Sequence, residues 1–220
     1  MNFFIKTLDI LFPKKCTGCQ TVGSFLCPEC IQSARPDGLF YEDCGIALDY
    51  RAPAVRSAIH LLKYKGRGSV ALDLAKGAHF RFKDFLSEIS ERSGHADTII
   101  IPIPLHSKRQ KERGYNQSEL IAKELVKILG VKNLQLQKDI LKKIKATQTQ
   151  VSTKNKTERT KNMKDCFEVN LKNTKNIQNI KNKNIVILDD IVTTGSTLNE
   201  AKKVLAKAGL KNIFLYALAH

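Results

Sequence analysis

Apolar positions along the chain fall into short β-branched runs that alternate with stretches of helical spacing. Thr98-Ile99-Ile100-Ile101-Pro102-Ile103 has no polar alternation, the pattern of a strand buried on both faces of a parallel sheet. A polar, basic turn follows. Asn116 and Glu119 then make a capping-box pair that opens a helix through Leu129, with Ile121, Leu125 and Ile128 on its apolar face and Gly130 as its stop. The order returns near the C-terminus: Ile185-Val186-Ile187-Leu188 reads as a strand, Asp189 to Thr197 as a loop, and Leu198 to Ala208 as a helix ended by Gly209. Ile213-Phe214-Leu215-Tyr216-Ala217-Leu218 supplies a further strand. Upstream, Val55, Ile59 and Leu62 share a helical face from about Pro53, before Lys63-Tyr64-Lys65-Gly66-Arg67 ends the segment.

Strand, loop and helix in alternation predict an α/β fold, a parallel sheet flanked by helices with ligands at the carboxyl ends of its strands. At 220 residues the chain has room for one such domain and a small appendage. The appendage is placed at 1–50, where Cys16 to Gly45 is turn-rich and cysteine-rich, and the α/β domain at 51–220. Met1 to Phe12 is expected to be a short packed helix, because it lacks a basic leading region and carries Asp9 within its apolar part, unlike a signal peptide. The stretch Thr147-Gln148-Thr149-Gln150-Val151-Ser152-Thr153-Lys154-Asn155-Lys156 has no apolar period, so a long mobile loop is expected over about 146–165, of a length that in a compact domain forms an active-site lid or a disordered segment, with the lid preferred here. The Lys/Asn tract from 170 to 184 reads as an exposed connection.

Composition narrows the setting. No apolar stretch approaches the roughly 20 residues that cross a bilayer, so no membrane insertion is expected. All but one of the six cysteines fall between positions 16 and 44 with no export signal, which points to a reducing, cytoplasmic compartment and to metal rather than disulfides. A net charge of +16 suits a polyanion partner through counterion release. Runs such as Asn170-Leu171-Lys172-Asn173-Thr174-Lys175-Asn176 are equally what an AT-rich coding sequence produces, so charge alone leaves both readings open.

The chemistry concentrates at Asp189-Asp190-Ile191-Val192-Thr193-Thr194-Gly195-Ser196-Thr197. Gly195 lets the backbone approach a phosphate, the hydroxyls and N–H groups of Thr193, Thr194, Ser196 and Thr197 donate to its oxygens, and the helix N-terminus adds partial positive charge. Two adjacent carboxylates beside such a cradle would repel the anion unless they face ribose hydroxyls or the shell of a Mg²⁺ ion. The combination points to a sugar phosphate.

The string resembles the phosphoribosyl pyrophosphate motif of type I phosphoribosyltransferases, in which Asp189 and Asp190 would hold the ribose 2′- and 3′-hydroxyls and residues 193–197 the 5′-phosphate. A wider resemblance is to the ComF family of competence-associated proteins. It is carried by Leu11-Phe12-Pro13, Cys16-x-x-Cys19, Cys27-x-x-Cys30, Cys44-Gly45, Leu62 to Arg67, Pro102-Ile103-Pro104, Arg113-Gly114-Tyr115-Asn116-Gln117, Gln148-Thr149, and Arg159 with Asn162. The family implies a zinc ribbon fused to a phosphoribosyltransferase-like domain and a role in DNA import during natural transformation, beside other competence proteins.

In that frame Arg109 and Arg113 occupy the loop after the first clear strand, where a pyrophosphate needs cationic donors, and Lys63 and Arg67 invite the same reading. His106 is read as a loop residue rather than a catalytic base. The thiolates of Cys16, Cys19, Cys27 and Cys30 can complete a closed tetrahedral Zn²⁺ shell of structural type. Tyr41 stands where the family often has a further cysteine, leaving Cys44 alone, so a second zinc is not expected; Cys166 reads as a small core residue. Three functions follow: a competence factor that binds phosphoribosyl pyrophosphate and contacts single-stranded DNA, a phosphoribosyltransferase acting on an unidentified base, or a zinc-bearing adaptor with a regulatory nucleotide pocket.

Overall fold

A computed structural model of the chain describes residues 13–64, 68–94, 97–145, 165–170 and 174–220, with the backbone alone at 174–176. The leading helix expected before Pro13, Arg67, and the lid expected over 146–165 save Asp165 lie outside the described residues. Eight strands and seven helices are described: α1 (Pro28–Ser33), β1 (Phe40–Tyr41), β2 (Cys44–Leu48), α2 (Pro53–Tyr64), α3 (Val70–Ser93), β3 (Thr98–Pro102), α4 (Ser107–Arg113), α5 (Gln117–Leu129), β4 (Leu134–Leu136), β5 (Leu141–Lys143), β6 (Phe167–Val169), α6 (Thr174–Ile180), β7 (Asn184–Ile191), α7 (Ser196–Lys207) and β8 (Ile213–Ala219).

Six strands form one sheet in the order β1-β2-β8-β7-β3-β4, parallel throughout except for the edge strand β1, and β5 and β6 form a separate antiparallel ribbon. The unbroken apolar runs of β3, β7 and β8 account for this arrangement. Side chains alternate faces along a strand, and both faces are covered. Ile100, Val186, Leu188, Tyr216 and Leu218 join one buried cluster with residues of α2, α3 and α5. Ile99, Ile101, Ile185, Ile187, Leu215 and Ala217 join a second with α7, α6 and the β5–β6 ribbon. Each fully buried isoleucine or leucine contributes about 2 kcal/mol relative to an exposed one, which is why β7 is unbroken apolar from Ile185 to Leu188.

Several elements differ from the sequence reading. The longest helix, α3, has no counterpart in the apolar pattern, because its buried positions include Ala71, Ala75, Gly77 and Ala78, whose small side chains carry little periodic signal. The tract 170–184 is not merely an exposed connection: it contains α6, whose Ile177 and Ile180 are buried in the second cluster. The turn after β3 is the short helix α4, so Arg109 and Arg113 are helical rather than in a loop, and His106 caps that helix by accepting the Lys108 N–H at its Nδ1. Asn116 does cap α5, accepting the Ser118 N–H at 3.1 Å, but Glu119 turns to Lys138 at 3.3 Å instead of completing the capping box. Gly130 ends α5 in a left-handed conformation, and Cys166 is fully buried, as expected. Among the described residues no helix is long and apolar enough to cross a membrane.

Candidate sugar-phosphate and metal sites

Strand β7 runs through the middle of the sheet between β8 and β3, and its carboxyl end carries Asp189 and Asp190. Ser118 Oγ, from the first turn of α5, donates to Asp189 Oδ1 at 3.0 Å, and the Asp190 N–H donates to the same oxygen at 2.9 Å. Asp190 takes a different partner: Lys63 Nζ, from the last turn of α2, lies 2.8 Å from its Oδ2. The structure thus brings Lys63, Asp189 and Asp190 together from elements far apart in the chain.

Beyond the acids, the Val192 N–H is tied to the Ala219 carbonyl at 2.9 Å, which sets the loop against the end of β8. Gly195 then adopts a φ of +68°, a left-handed conformation that costs other residues roughly 1 kcal/mol or more. A Cβ there would also stand 3.1 Å from Asn199 Nδ2. Helix α7 starts at Ser196, two residues ahead of the expected Leu198, so Ser196 and Thr197 belong to its first turn. The Thr194 and Ser196 hydroxyls are 2.7 Å apart, and the Asn199 N–H to Gly195 carbonyl bond of 2.9 Å closes that turn. Thr193 is exposed and Thr194 to Thr197 are half-buried, so the hydroxyls stand within reach of solvent at a helix N-terminus whose first N–H groups have no intrahelical acceptor. A cavity of about 40 Å³ beside the loop, lined in part by Tyr41, Asp43, Cys44, Val192 and Asn199, has room for a water molecule rather than a nucleobase.

Charge at this edge is finely set. Burial, and then the neighbouring Asp190 carboxylate, push the Asp189 carboxyl up to about 7, against the opposing pull of Lys63, the Asp190 N–H and the Ser118 hydroxyl. Burial acts to lower the Lys63 ammonium, but Asp190 and Asp189 together outweigh it and hold Lys63 above the ordinary lysine range. Lys143, on β5, is drawn below that range by burial, with Asp189 opposing and Arg109 reinforcing the shift. Arg113 is placed over the Tyr64 ring, 5.2 Å from its centroid, at the end of α2. The sequence reading assigned no role to Ser118, Lys143 or Tyr115, whose hydroxyl donates to the Leu62 carbonyl at 2.6 Å. Ser118 and Tyr115 adjoin or lie within the Arg113–Gln117 string and were open to inspection; Lys143 is one lysine in a lysine-rich stretch and carries no local signal.

The second site is built from the two Cys-x-x-Cys turns. The Sγ atoms of Cys16, Cys19, Cys27 and Cys30 all lie within 4.8 Å of one another. Thiolates on a tetrahedral Zn²⁺ at Zn–S distances near 2.3 Å would be roughly 3.8 Å apart, so the four cysteines fit such an ion with little adjustment. The Cys27 N–H donates to Cys16 Sγ at 3.4 Å, and the Thr21 hydroxyl is 3.1 Å from Cys19 Sγ, contacts that favour the thiolate form a metal requires. The unit is seated on the helices beyond it. Thr17 Oγ1 donates to the Ala54 carbonyl at 2.7 Å, the Phe25 N–H donates to Asp73 Oδ2 at 2.8 Å, and Phe25, Leu26 and Ile31 join the cluster that holds α2 and α3. Cys44, on the module's side of the division drawn at residue 50, is buried in β2, hydrogen-bonded into the main sheet beside β8.

Comparison with known proteins bears on the first of these sites. A family model described as a phosphoribosyl transferase domain matches residues 116–220, the span that contains Ser118, the acid pair and the Gly195 loop. Competence protein F of Haemophilus influenzae is 40% identical over 120 residues, 54% of this chain, and the match spans 49%, about half, of that protein's length. Competence protein ComFC of Streptococcus pneumoniae is 28% identical over 221 residues, covering 92% of this chain and 86% of its own. DNA utilization protein YhgH of Escherichia coli K12 is 27% identical over 192 residues, covering 87% of this chain and 76% of its own.

Proposed function

From a chain that carries a phosphoribosyl transferase domain and is homologous to competence protein F, ComFC and YhgH, we propose a competence-type protein that binds phosphoribosyl pyrophosphate and supports DNA uptake. The observation that carries this reading is the placement of two carboxylates and a hydroxyl-lined, left-handed glycine turn on either side of one strand-to-helix handover. Asp189 and Asp190 accept from the ribose hydroxyls; Thr193, Thr194, Ser196, Thr197 and the backbone around Gly195 receive the 5′-phosphate. Mg²⁺ accompanies the diphosphate, whose charge Arg109, Arg113 and Arg67 offset. Zinc in the four-cysteine unit is structural: all four positions are filled by protein thiolates, so no coordination site is open for catalysis. Cytoplasmic residence and contact with single-stranded DNA and other competence proteins belong to the same reading.

Calorimetry with phosphoribosyl pyrophosphate and Mg²⁺ tests the shared premise. Wild-type protein is expected to bind, and Asp189→Ala/Asp190→Ala to lose at least about 2–3 kcal/mol, since hydrogen bonds to charged groups each contribute roughly 1.5–3 kcal/mol. Retained affinity in the double variant removes the site. The phosphoribosyl transferase match also favours a second reading, pentosyl transfer to a base, in which the diphosphate leaves from an oxocarbenium-like state stabilised by fixed charge. Release of pyrophosphate on adding one of a panel of nucleobases would select that reading; no release across the panel would count against it.

A further inference from the structure

Lys63 is turned inward at the end of α2. Its Nζ is 2.8 Å from Asp190 Oδ2, with 16% and 10% of the two side chains exposed, so the contact is a buried ion pair rather than a solvated surface bridge. Such a pair requires fixed geometry to offset the desolvation of both charges, and α2 is fixed at both ends. Thr17 Oγ1 donates to the Ala54 carbonyl in its first turn, and Tyr115 Oη donates to the Leu62 carbonyl in its last. The last four carbonyls of a helix lack intrahelical donors, so the Tyr115 hydroxyl both satisfies Leu62 and sets the rotation that aims the next residue at Asp190. The carboxyl end of a helix also favours a cation there. The charged and titratable groups acting on this corner include Asp189 and Asp190 from β7, Lys63 and Tyr64 from α2, Cys44 from β2, Lys143 from β5 and Arg109 from α4. Among them Lys63 acts on both acids, pairing with Asp190 directly and drawing on Asp189 through space.

Resting on the reading of this edge as a sugar-phosphate site, we propose that Lys63 is a positioning residue rather than a diphosphate ligand: its ammonium is the built-in counter-ion that orients the Asp190 carboxylate and offsets the charge of the acid pair, so that the pair can stand beside an incoming 5′-phosphate. Without it, two adjacent carboxylates at one buried strand end face each other's charge uncompensated, and Asp189 holds its proton to higher pH. A lysine that touched the diphosphate instead would weaken binding without disturbing the acids.

The two roles are separated with Lys63→Met, Lys63→Arg and the double variant Lys63→Met/Asp190→Asn. In carbon-detected NMR of the ligand-free protein, the Asp189 carboxyl is expected to titrate at higher pH in Lys63→Met than in wild type, and to return toward wild type in Lys63→Arg. By calorimetry with phosphoribosyl pyrophosphate and Mg²⁺, Lys63→Met is expected to bind roughly fivefold more weakly near neutral pH, the loss narrowing as pH rises, because raising by one unit a carboxyl that titrates at about 7 cuts its ionised fraction there from about a half to about a tenth. An unmoved Asp189 titration, or a loss of affinity that is the same at every pH, overturns the proposal. If Lys63→Met alone does not fold, the double variant, which removes the buried charge together with its partner, carries the comparison against Asp190→Asn. An NMR shift in a protein that binds no phosphoribosyl pyrophosphate at any pH would uphold the counter-ion and remove the sugar-phosphate reading.

Discussion

At position 189 a carboxyl group acquires a property that its residue type does not have. Free aspartate titrates near 4, whereas at the end of β7 burial and Asp190 push it up to about 7. Between those values the folded chain retains a proton that the unfolded chain has released. Its contribution to stability is therefore fully present below about pH 4 and lost as pH rises through about 7. Urea unfolding at a series of pH values is expected to show wild-type stability declining across this window relative to Asp189→Asn, which has no proton to lose there; parallel curves would contradict the assignment. The identities of Asp189, Asp190 and the Thr193–Thr197 string were plain in the sequence, because they are contiguous. Their partners were not. Ser118 reaches Asp189 across 71 positions and Lys63 reaches Asp190 across more than a hundred, separations over which composition and spacing say nothing about contact.

Among elements, legibility followed side-chain size. Strands β3, β7 and β8 and helix α5 announce themselves through large apolar residues at periods of one face or both. Helix α3 does not, since much of its buried stripe is alanine and glycine, admitted because neighbouring chains come close. Gly77 faces Ile31 of α1, 3.2 Å from where a Cβ would stand, and that contact joins the cysteine unit to the longest helix. Gly18 has a similar role nearer the four-cysteine cluster: a Cβ there would stand 2.8 Å from both Ala54 Cβ and Cys30 Sγ. Gly18→Val is therefore expected to cost about 1–3 kcal/mol by overpacking and to lower zinc content, measured by thermal unfolding and by elemental analysis of purified protein. Wild-type zinc content and melting temperature in that variant would show that the unit is not seated on α2 as the hydrogen bond from Thr17 to Ala54 requires.

For the whole molecule the charge of +16 has two sources open to it, selection for a polyanion or the lysine bias of the coding sequence. Binding to a single-stranded oligonucleotide separates them. If basic side chains contact the backbone, the logarithm of affinity falls with the logarithm of salt at about 0.7 per phosphate contacted; salt-independent binding, or none, would favour the coding bias. The fold class and the motif were settled by local order, since β-branched runs alternating with helical spacing leave few ways to bury apolar surface, and Asp189–Thr197 is one unbroken string. The cysteine spacing likewise pointed to the four-thiol cluster, which could hold a metal ion. What only the tertiary structure decided is charge and contact: that Lys63 turns inward to Asp190, that Ser118 donates to Asp189 while Lys143 feels its charge, and that the cysteine unit rests on α2 and α3. Pattern along a chain reports which surfaces must be buried, but ionisation and pairing depend on the dielectric and the neighbours that burial creates, and these exist only once distant segments have met.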